Sequence, residues 1–333
     1  MSRSLMSSWF RCCVALIAIA PSWLCAQVNT QAGASYPNRT VKIIAPYAPG
    51  GSVDALAREF AQAYTTALGK SFIVENRAGA GGNVGLGILA RAPGDGYTLG
   101  LGAANMLATN RFLYTNLPFD TLTDFVPVAF IGRVPFILVA HPSVPADNLK
   151  DLIAVMKSKK MEFNYGSSGI GNTAHLFGEL FKSKAGVEMV HVPFKSSGEA
   201  TQEVVAGRLQ LQFGTPVELL PQIARGAVKA IAIAGPKRLN LLPATPTMAE
   251  MGMTGFESPT WFGIITPKGT PKEVIALLNE ETRKAIVQPA LRARLDQTGV
   301  EPQYMSPEQF KNFLLEETAK WEVIVKQSGA KLN

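Results

Sequence analysis

Three turns rich in glycine and small polar residues are the parts of this chain best suited to hold a ligand. Each follows a short β-rich run and opens into a helical pattern: Tyr47-Ala-Pro-Gly-Gly51, Ser167-Ser-Gly-Ile-Gly-Asn-Thr173 and Lys195-Ser-Ser-Gly198. The first N–H groups of a helix have no partner within the helix, so they can point toward a ligand. Together with hydroxyls and one ammonium group, they can hold an anion without transforming it.

The first of these turns has the clearest pattern. The run Val41 to Ile44 predicts a strand, and apolar residues at helical spacing continue from Val53 to Leu68. Gly50 and Gly51 allow the sharp turn between the two elements. The alternative is an ordinary strand-to-helix connection in which a first-turn carboxylate, Asp54, complements the helix dipole.

One of the turns also fits a nucleotide-binding pattern. Gly169-Ile-Gly-Asn-Thr-Ala174 matches G-x-G-x-x-A, follows a predicted strand and opens a predicted helix. A dinucleotide site needs an acid at the end of the next strand to hold the ribose hydroxyls. That strand ends with Val192-Pro-Phe-Lys195, so the pattern is incomplete and the sequence predicts no nucleotide cofactor.

The residues that enzymes use do not occur at productive spacings. The three histidines, His141, His175 and His191, are too far apart in sequence to suggest a metal-ligand pair. Neither Ser167 nor Ser168 has both flanking glycines of a nucleophile elbow. The sequence therefore predicts no catalytic residues, no metal and no cofactor.

The amino terminus has the pattern of a secretory signal peptide. Arg3 and Arg11 provide positive charge, the apolar run continues to Ala20, and Ala26 offers a cleavage point, with Ala34 as a second candidate. We predict a signal peptide over residues 1–26 and hence a periplasmic protein. All three cysteines lie within this segment, so the exported chain would contain neither a disulfide nor a thiolate metal site.

Length and charge narrow the function further. The chain has 333 residues, more than a single core usually serves, which favours two domains. Its formal net charge is +7, from 32 Lys and Arg against 25 Asp and Glu scattered along the sequence. A mild basic excess of this kind suits small anions better than nucleic acid.

Short β-rich runs alternate with helical patterns, which predicts an α/β fold built from doubly wound sheets. The pattern restarts after Val139. Two long apolar runs, Phe125 to Val139 and Phe256 to Pro267, are predicted to cross between two domains. We therefore place domain 1 at residues 36–133 and 257–333 and domain 2 at residues 134–256, with two final helices over Pro271 to Leu295 and Pro307 to Gln327.

Several longer motifs resemble those of a known family, the Bug proteins, which are extracytoplasmic solute receptors of tripartite tricarboxylate transporters. The resemblance runs from about Tyr36 to the carboxyl end. Its motifs are Pro46-Tyr-Ala-Pro-Gly-Gly-Ser-Val-Asp54, Val74-Glu-Asn-Arg-Ala-Gly-Ala-Gly-Gly-Asn83, Pro93-Gly-Asp-Gly-Tyr-Thr-Leu99, Leu117-Pro-Phe-Asp120, Tyr165-Gly-Ser-Ser-Gly-Ile-Gly-Asn-Thr-Ala-His175, Val192-Pro-Phe-Lys195 and Trp261-Phe-Gly-Ile-Ile-Thr-Pro-Lys-Gly-Thr-Pro271.

The resemblance implies a two-lobed, Venus-flytrap periplasmic binding protein, monomeric, that closes on a di- or tricarboxylate or an aromatic acid and passes it to integral-membrane transporter subunits. A ligand-sensing receptor for a signalling system and an exported hydrolase of carboxylic-acid esters or amides are the alternatives. Carried over by position, the implied ligand-binding residues are Tyr47, Ala48, Gly50, Gly51, Asp54, Ser167, Ser168, Gly169, Asn172, Thr173, Lys195, Ser196 and Ser197.

Two positions depart from the family pattern. Family members often carry an acid on each side of the strand near Phe213, whereas this chain has Gln210 and Gly214. If those acids compensate an ammonium group, their loss disfavours an amino-acid ligand. The turn from Ala103 to Leu107 lacks the family's frequent Ser/Thr and His, which permits a more apolar or aromatic acid.

Overall fold

The computed structural model describes residues 36–328. The predicted signal peptide lies outside this range. The described chain forms two mixed β-sheets with helices packed on them. The strands are Val41–Ala45 (β1), Phe72–Asn76 (β2), Thr98–Ala103 (β3), Phe125–Val134 (β4), Phe136–Ala140 (β5), Asn164–Ser167 (β6), Val190–Pro193 (β7), Leu211–Gly214 (β8), Lys229–Ala234 (β9), Thr260–Pro267 (β10) and Glu301–Pro302 (β11).

The helices occupy most of the connections between strands. They are Ser52–Leu68 (α1), Asn83–Ala90 (α2), Asn110–Leu113 (α3), Leu149–Lys157 (α4), Thr173–Ala185 (α5), Ser197–Val205 (α6), Pro216–Ala224 (α7), Lys272–Val287 (α8), Pro289–Gln297 (α9) and Pro307–Ser328 (α10). A 3₁₀ turn at Ala80–Gly82 precedes α2, and a π-helical turn at Asn105–Thr109 follows β3. No helix in residues 36–328 has the length and apolar composition needed to cross a bilayer.

The two sheets define two lobes. The first lobe contains the six-stranded sheet in the order β11-β4-β10-β3-β1-β2, and the second contains the five-stranded sheet in the order β7-β6-β8-β5-β9. Each sheet packs against its own helices, with Trp261 in the core of the first lobe and Phe213 in that of the second. The chain passes between the sheets twice, after β4 and before β10, as the two long apolar runs predict.

The strands that cross between lobes make each sheet mixed. Strands β1, β2 and β3 pair in parallel, as do β6, β7 and β8. In contrast, β10 runs antiparallel to β3 and β4, and β5 runs antiparallel to β8 and β9. In a parallel array, the turns after β1, β6 and β7 lie at the carboxyl ends of the strands, where ligands bind in open α/β sheets.

Two details differ from the sequence prediction, and a proline explains each. The run Phe125 to Val139 is not one strand but two, because Pro135 ends β4 and β5 joins the other sheet. The segment Pro271 to Leu295 is not one helix but two, because Pro289 cannot continue α8 and instead opens α9.

Candidate functional site

The starts of four helices meet at a cavity between the lobes. These helices are α1 of the first lobe and α5, α6 and α7 of the second. The residue that caps each amino terminus lines the cavity: Gly51, Asn172, Ser196 and Thr215. Each amino terminus has a partial positive charge because the peptide dipoles of its helix are aligned. The cavity therefore lies where four such ends converge, which favours a negative charge.

This inner cavity is small. Its volume is ≈ 50 Å³, room for roughly three to five water-sized positions. The polar part of its wall consists of hydroxyls, amides, one carboxyl group and the backbone of the helix starts, and no Lys, Arg or His lines it among the described residues. The full lining is Tyr47, Gly51, Ser52, Val53, Ala103, Asn105, Phe136, Ser168, Asn172, Thr173, Ala174, Ser196, Ser197, Phe213, Thr215, Glu218, Thr260 and Phe262.

A wider outer cavity adjoins the inner one. Its volume is ≈ 660 Å³, and it includes exposed residues such as Lys195 and Glu199. Tyr47 and Ser168 line both cavities. The two spaces therefore adjoin at Tyr47 and Ser168, and the predicted ammonium group of Lys195 lines the outer one.

The lobes touch each other around these cavities. The N–H of Ala48 donates to the carbonyl oxygen of Lys195 at 3.1 Å. On the other side of the inner cavity, the hydroxyls of Ser52 and Thr215 are 2.5 Å apart. The hydroxyl of Tyr114 donates to the carbonyl oxygen of Ile170 at 3.0 Å. These contacts join loops of different lobes, so the structure has the closed arrangement of the cleft.

The cap of α1 differs from those of α5 and α6. Asn172 and Ser196 accept hydrogen bonds through their side chains from the N–H groups of His175 and Glu199. Gly51 has no side chain and cannot do the same, so the first N–H groups of α1 stay available to a ligand. A Cβ atom at Gly51 would also come within 2.6 Å of the Ser197 hydroxyl oxygen. Only glycine fits this approach of the two lobes without displacing Ser197.

Buried polar contacts hold Tyr47 in position. Its hydroxyl donates to the carbonyl oxygen of Gly81 at 3.0 Å, and Asn105 donates to the hydroxyl oxygen at 3.0 Å. Burial raises the pKa of Tyr47, so the phenol stays neutral. The two loops of the first lobe that contribute to the cavity are thus fixed to each other.

The apolar part of the wall comes from both lobes. Phe136 and Phe213 belong to the second lobe and Phe262 to the first, and all three are buried. Ala103 and Ala174 provide small neighbours. These side chains give the inner cavity an apolar surface that suits contact with a hydrocarbon group.

The structure distributes the thirteen predicted residues over three places. Seven line the inner cavity, namely Tyr47, Gly51, Ser168, Asn172, Thr173, Ser196 and Ser197. Gly169 and Lys195 line the outer cavity. The other four lie behind these walls: Ala48 and Gly50 contact the second lobe through their backbones, and Asp54 and Ser167 are buried beside the loops.

Asp54 faces its own lobe. Its carboxylate pairs with Arg58 at 2.9 Å, accepts from Asn76 at 3.0 Å and accepts from the N–H of Gly50 at 3.3 Å. Burial alone would raise the pKa of Asp54, but the hydrogen bonds from these partners outweigh burial and lower it. Asp54 thus stays ionised and fixes the loop that precedes α1.

Ser167 and His191 form a close polar pair. The Ser167 hydroxyl oxygen is 2.6 Å from Nε2 of His191, a distance that a serine nucleophile and its base would have. However, Ser167 is fully buried and lines neither cavity. The same hydroxyl donates to the carbonyl oxygen of Gly169 at 3.0 Å, so the pair supports the loop over Ser167 to Thr173. In residues 36–328, no cluster of three or more His, Cys, Asp or Glu is arranged to hold a metal.

Sequence reasoning missed several residues of the inner cavity, and Glu218 is the most unusual of them. It is the only carboxyl group that lines this cavity within the described part of the chain. Thr215-Pro-Val-Glu218 is a capping-box pattern, and Glu218 Oε1 accepts the Thr215 N–H at 2.7 Å. That pattern could have identified the start of α7 as a fourth wall. This chain has Gly214 where family members often carry an acid, and Glu218 places an acid one helical turn later.

Comparison with known proteins gives consistent matches over most of the chain. Residues 56–330 match the family model described as tripartite tricarboxylate transporter family receptor. The sequence is 35% identical over 317 residues to Protein BugT of Bordetella pertussis, covering 95% of this chain and 96% of that protein.

Solved structures agree with this match. The structure of R. palustris Rpa4515 with adipate is 35% identical, has a TM-score of 0.85, and covers 89% of this chain and 100% of its own. MatC from Rhodopseudomonas palustris with bound malate is 30% identical, has a TM-score of 0.81, and covers 87% of this chain and 100% of its own.

Proposed function

Because the chain belongs to the tripartite tricarboxylate transporter family of receptors, we propose that it captures a small carboxylate between its lobes and delivers it to integral-membrane transporter subunits. The observation that carries the proposal is the convergence of four helix amino termini on one cavity between the lobes. The adipate and malate in the similar structures support a carboxylate as the ligand class. The protein binds this ligand without transforming it.

In the proposed complex, the carboxylate lies at the starts of α1, α5 and α6. The N–H groups of α1 and the side chains of Ser168, Asn172 and Thr173 are its donors. Each helix start contributes about 0.3–1 kcal/mol, and up to about 2 kcal/mol when partly buried. Each hydrogen bond to a charged group adds roughly 1.5–3 kcal/mol. A few such contacts are enough for micromolar binding, at about −8.2 kcal/mol.

The apolar wall supports a particular kind of acid. Phe136, Phe213 and Phe262 offer contact to a hydrocarbon chain or ring, whereas a second charged group inside the inner cavity would find no cation. We therefore propose a ligand with one carboxylate at the helix starts and an apolar or aromatic body. A second carboxylate, as in a dicarboxylate, would extend into the outer cavity toward Lys195.

Ligand-driven closure is the proposed signal to the transporter. A ligand that contacts both lobes binds the closed arrangement more tightly than the open one, and it shifts the equilibrium by that difference in affinity. The transporter would then recognise the closed form. We further propose that the lobes are domains with boundaries at residues 133/134 and 256/257, that the protein is a monomer, and that it is exported to the periplasm with loss of residues 1–26.

A thermal-shift screen of the purified protein against carboxylic acids tests the proposal. A binder at a thousandfold excess over its Kd adds about 4.1 kcal/mol of stability, which raises Tm by several degrees. We expect such a rise with apolar or aromatic acids and none with their amides, which lack the charge. If no acid of the panel raised Tm, or if an amide and its parent acid acted equally, the proposal would be wrong.

A further inference from the structure

Among the described residues, Glu218 is the one acid that lines a cavity which we propose to hold an anion. The residue is 7% exposed and lines the inner cavity. Tyr47 is the only other titratable side chain in that lining among the described residues, and it stays neutral. Two negative charges in one buried site repel each other strongly unless a cation or a proton compensates one of them.

A chain of short hydrogen bonds connects Glu218 to the first lobe. The Thr215 hydroxyl oxygen is 2.5 Å from Glu218 Oε2 and 2.5 Å from the Ser52 hydroxyl oxygen. The other carboxyl oxygen, Oε1, accepts the Thr215 N–H. Ser52 starts α1 in the first lobe, whereas Thr215 and Glu218 belong to the second. The chain therefore exists only when the lobes are closed.

The protonation state of Glu218 decides in which direction this chain donates. If Glu218 is ionised, the Thr215 hydroxyl donates to Oε2, and the Ser52 hydroxyl donates to Thr215 or, at 3.4 Å, to Oε2 itself. The cavity then faces a carboxylate and the lone pairs of Ser52. If Glu218 is protonated, its O–H donates to Thr215, Thr215 donates to Ser52, and the Ser52 proton is free for an acceptor in the cavity. Only the second state suits an anionic ligand.

We propose that a carboxylate enters the inner cavity together with one proton, which is taken from solvent and forms an O–H bond at Glu218 Oε2. This inference rests on the proposed function and deepens it, because it assigns the charge state of the occupied site. Ser52 and Thr215 transmit the effect of that proton to the ligand. The protonation state of Glu218 thus determines whether the site accepts an anionic ligand.

The charged groups on the helices packed against α7 have partners of their own and do not compensate the negative charge of Glu218. The elements packed most extensively on α7 are α1, α6 and β5, and Gly299 of the loop before β11 lies close to Pro216. On α1, Asp54 pairs with Arg58 and Glu59 pairs with Arg294. On α6, Glu203 pairs with Arg208 and Glu199 accepts the Lys195 N–H, while β5 carries no titratable side chain. Burial raises the pKa of Glu218, and the hydrogen bonds from Thr215 and Ser197 oppose that rise only in part.

Calorimetry tests this inference directly. We would titrate the full chain with adipate, malate and benzoate between pH 6 and pH 8, in buffers with different ionisation enthalpies. The observed heat varies with the buffer in proportion to the number of protons taken up. We expect uptake approaching one proton per ligand at the higher pH values, and a Kd that rises by up to about tenfold per pH unit, the limit for one linked proton.

Glu218→Gln is the decisive variant. Its amide can donate to Thr215 while its oxygen still accepts the Thr215 N–H, so it imitates the protonated acid. We expect it to bind with the affinity that the unaltered protein has at low pH, with no proton uptake. The matched control is Glu203→Gln, an acid on α6 outside both cavities, which should keep the full proton uptake.

The outcomes separate this inference from the function on which it rests. If acids bind the unaltered protein with no proton uptake, the inference is wrong and the proposed function stands. If a folded Glu218→Gln variant loses binding, the negative charge is needed and the inference is again wrong. If none of the three acids binds the unaltered protein, the carboxylate function itself fails and this inference fails with it.

Discussion

Gly198, at the start of α6, packs directly on the backbone of Gly50 in the other lobe. A Cβ atom at position 198 would overlap the carbonyl oxygen of Gly50. The obstacle is backbone, so rotation of a side chain cannot relieve it. The absence of a side chain at this one position thus allows the second lobe to approach the loop that opens α1.

Gly198→Ala should therefore hinder closure without harming either lobe. We expect the affinity for a carboxylate to fall by at least about tenfold, which corresponds to about 1.4 kcal/mol. The Tm of the unliganded protein should stay the same or rise, because alanine is a better helix former than glycine. Calorimetry and thermal unfolding measure the two effects. Gly87→Ala, within α2 of the first lobe, is the control. An unchanged carboxylate affinity of the Gly198→Ala variant would contradict the closed contact between Gly198 and Gly50.

Lys195 should act on the rate of binding more than on its strength. The side chain is exposed and lines the outer cavity, so solvent and salt screen it. We expect Lys195→Met to slow association with a carboxylate by roughly a few-fold at low salt, with a smaller effect at 0.2 M salt. Stopped-flow measurements at two salt concentrations would test this, with Lys150→Met on α4 as the control. A large change in the dissociation rate would instead indicate a direct contact with the bound ligand.

The turns after β1, β6 and β7 could be predicted from sequence because local chemistry determines them. Gly51, Asn172 and Ser196 are residues that commonly cap helices, and each follows a short β-rich run. The rest of the cavity is built by contacts between distant parts of the chain. Phe136 and Phe262 lie in strands whose sequences show no sign of a ligand site, and their position at the cavity depends on how the two sheets meet.

Glu218 is an intermediate case. Its capping-box pattern was visible in the sequence, but its exposure to the cavity depends on the closed contact between Ser52 and Thr215. For Asp54, its place in a shared motif suggested a ligand contact, and in the structure its carboxylate contacts Arg58 and Asn76 of its own lobe. In both cases the sequence indicated which chemical group the residue supplies, but it did not indicate the direction in which the side chain points.

Asp54→Asn should reduce stability more than binding. The substitution removes the ion pair with Arg58 and weakens the hydrogen bond from the Gly50 N–H, which we expect to cost about 1–2 kcal/mol. Affinity for a carboxylate should change by less than about threefold, well under 1 kcal/mol, since the side chain lines neither cavity. Chemical denaturation and calorimetry give the two numbers. Asn172→Ala, which removes a cavity-lining cap, should reduce affinity more than stability. A greater loss of affinity in Asp54→Asn than in Asn172→Ala would contradict the structural role of Asp54.

The half-buried histidine pair of the second lobe should make stability depend on pH. The ring centroids of His191 and His175 are 4.2 Å apart, and Glu179 and Lys182 of α5 also face them. Burial lowers the pKa of His191 to about 4, and His175 and Lys182 lower it as well, while Glu179 acts in the opposite direction. The neutral imidazole is thus the form that pairs with Ser167.

The sign of the effect follows from proton binding. Between about pH 6.5, the ordinary value for histidine, and about pH 4, the unfolded chain binds a proton that the folded protein does not. Acidification through this range therefore favours unfolding, and stability should fall as pH decreases from 7 to 5.

His191→Gln keeps a polar group near Ser167 but cannot titrate, so its stability should fall less steeply. Urea denaturation at the two pH values measures this, with His141→Gln, in the loop after β5, as the control. Equal slopes for His191→Gln and the unaltered protein would show that His191 is not the group responsible.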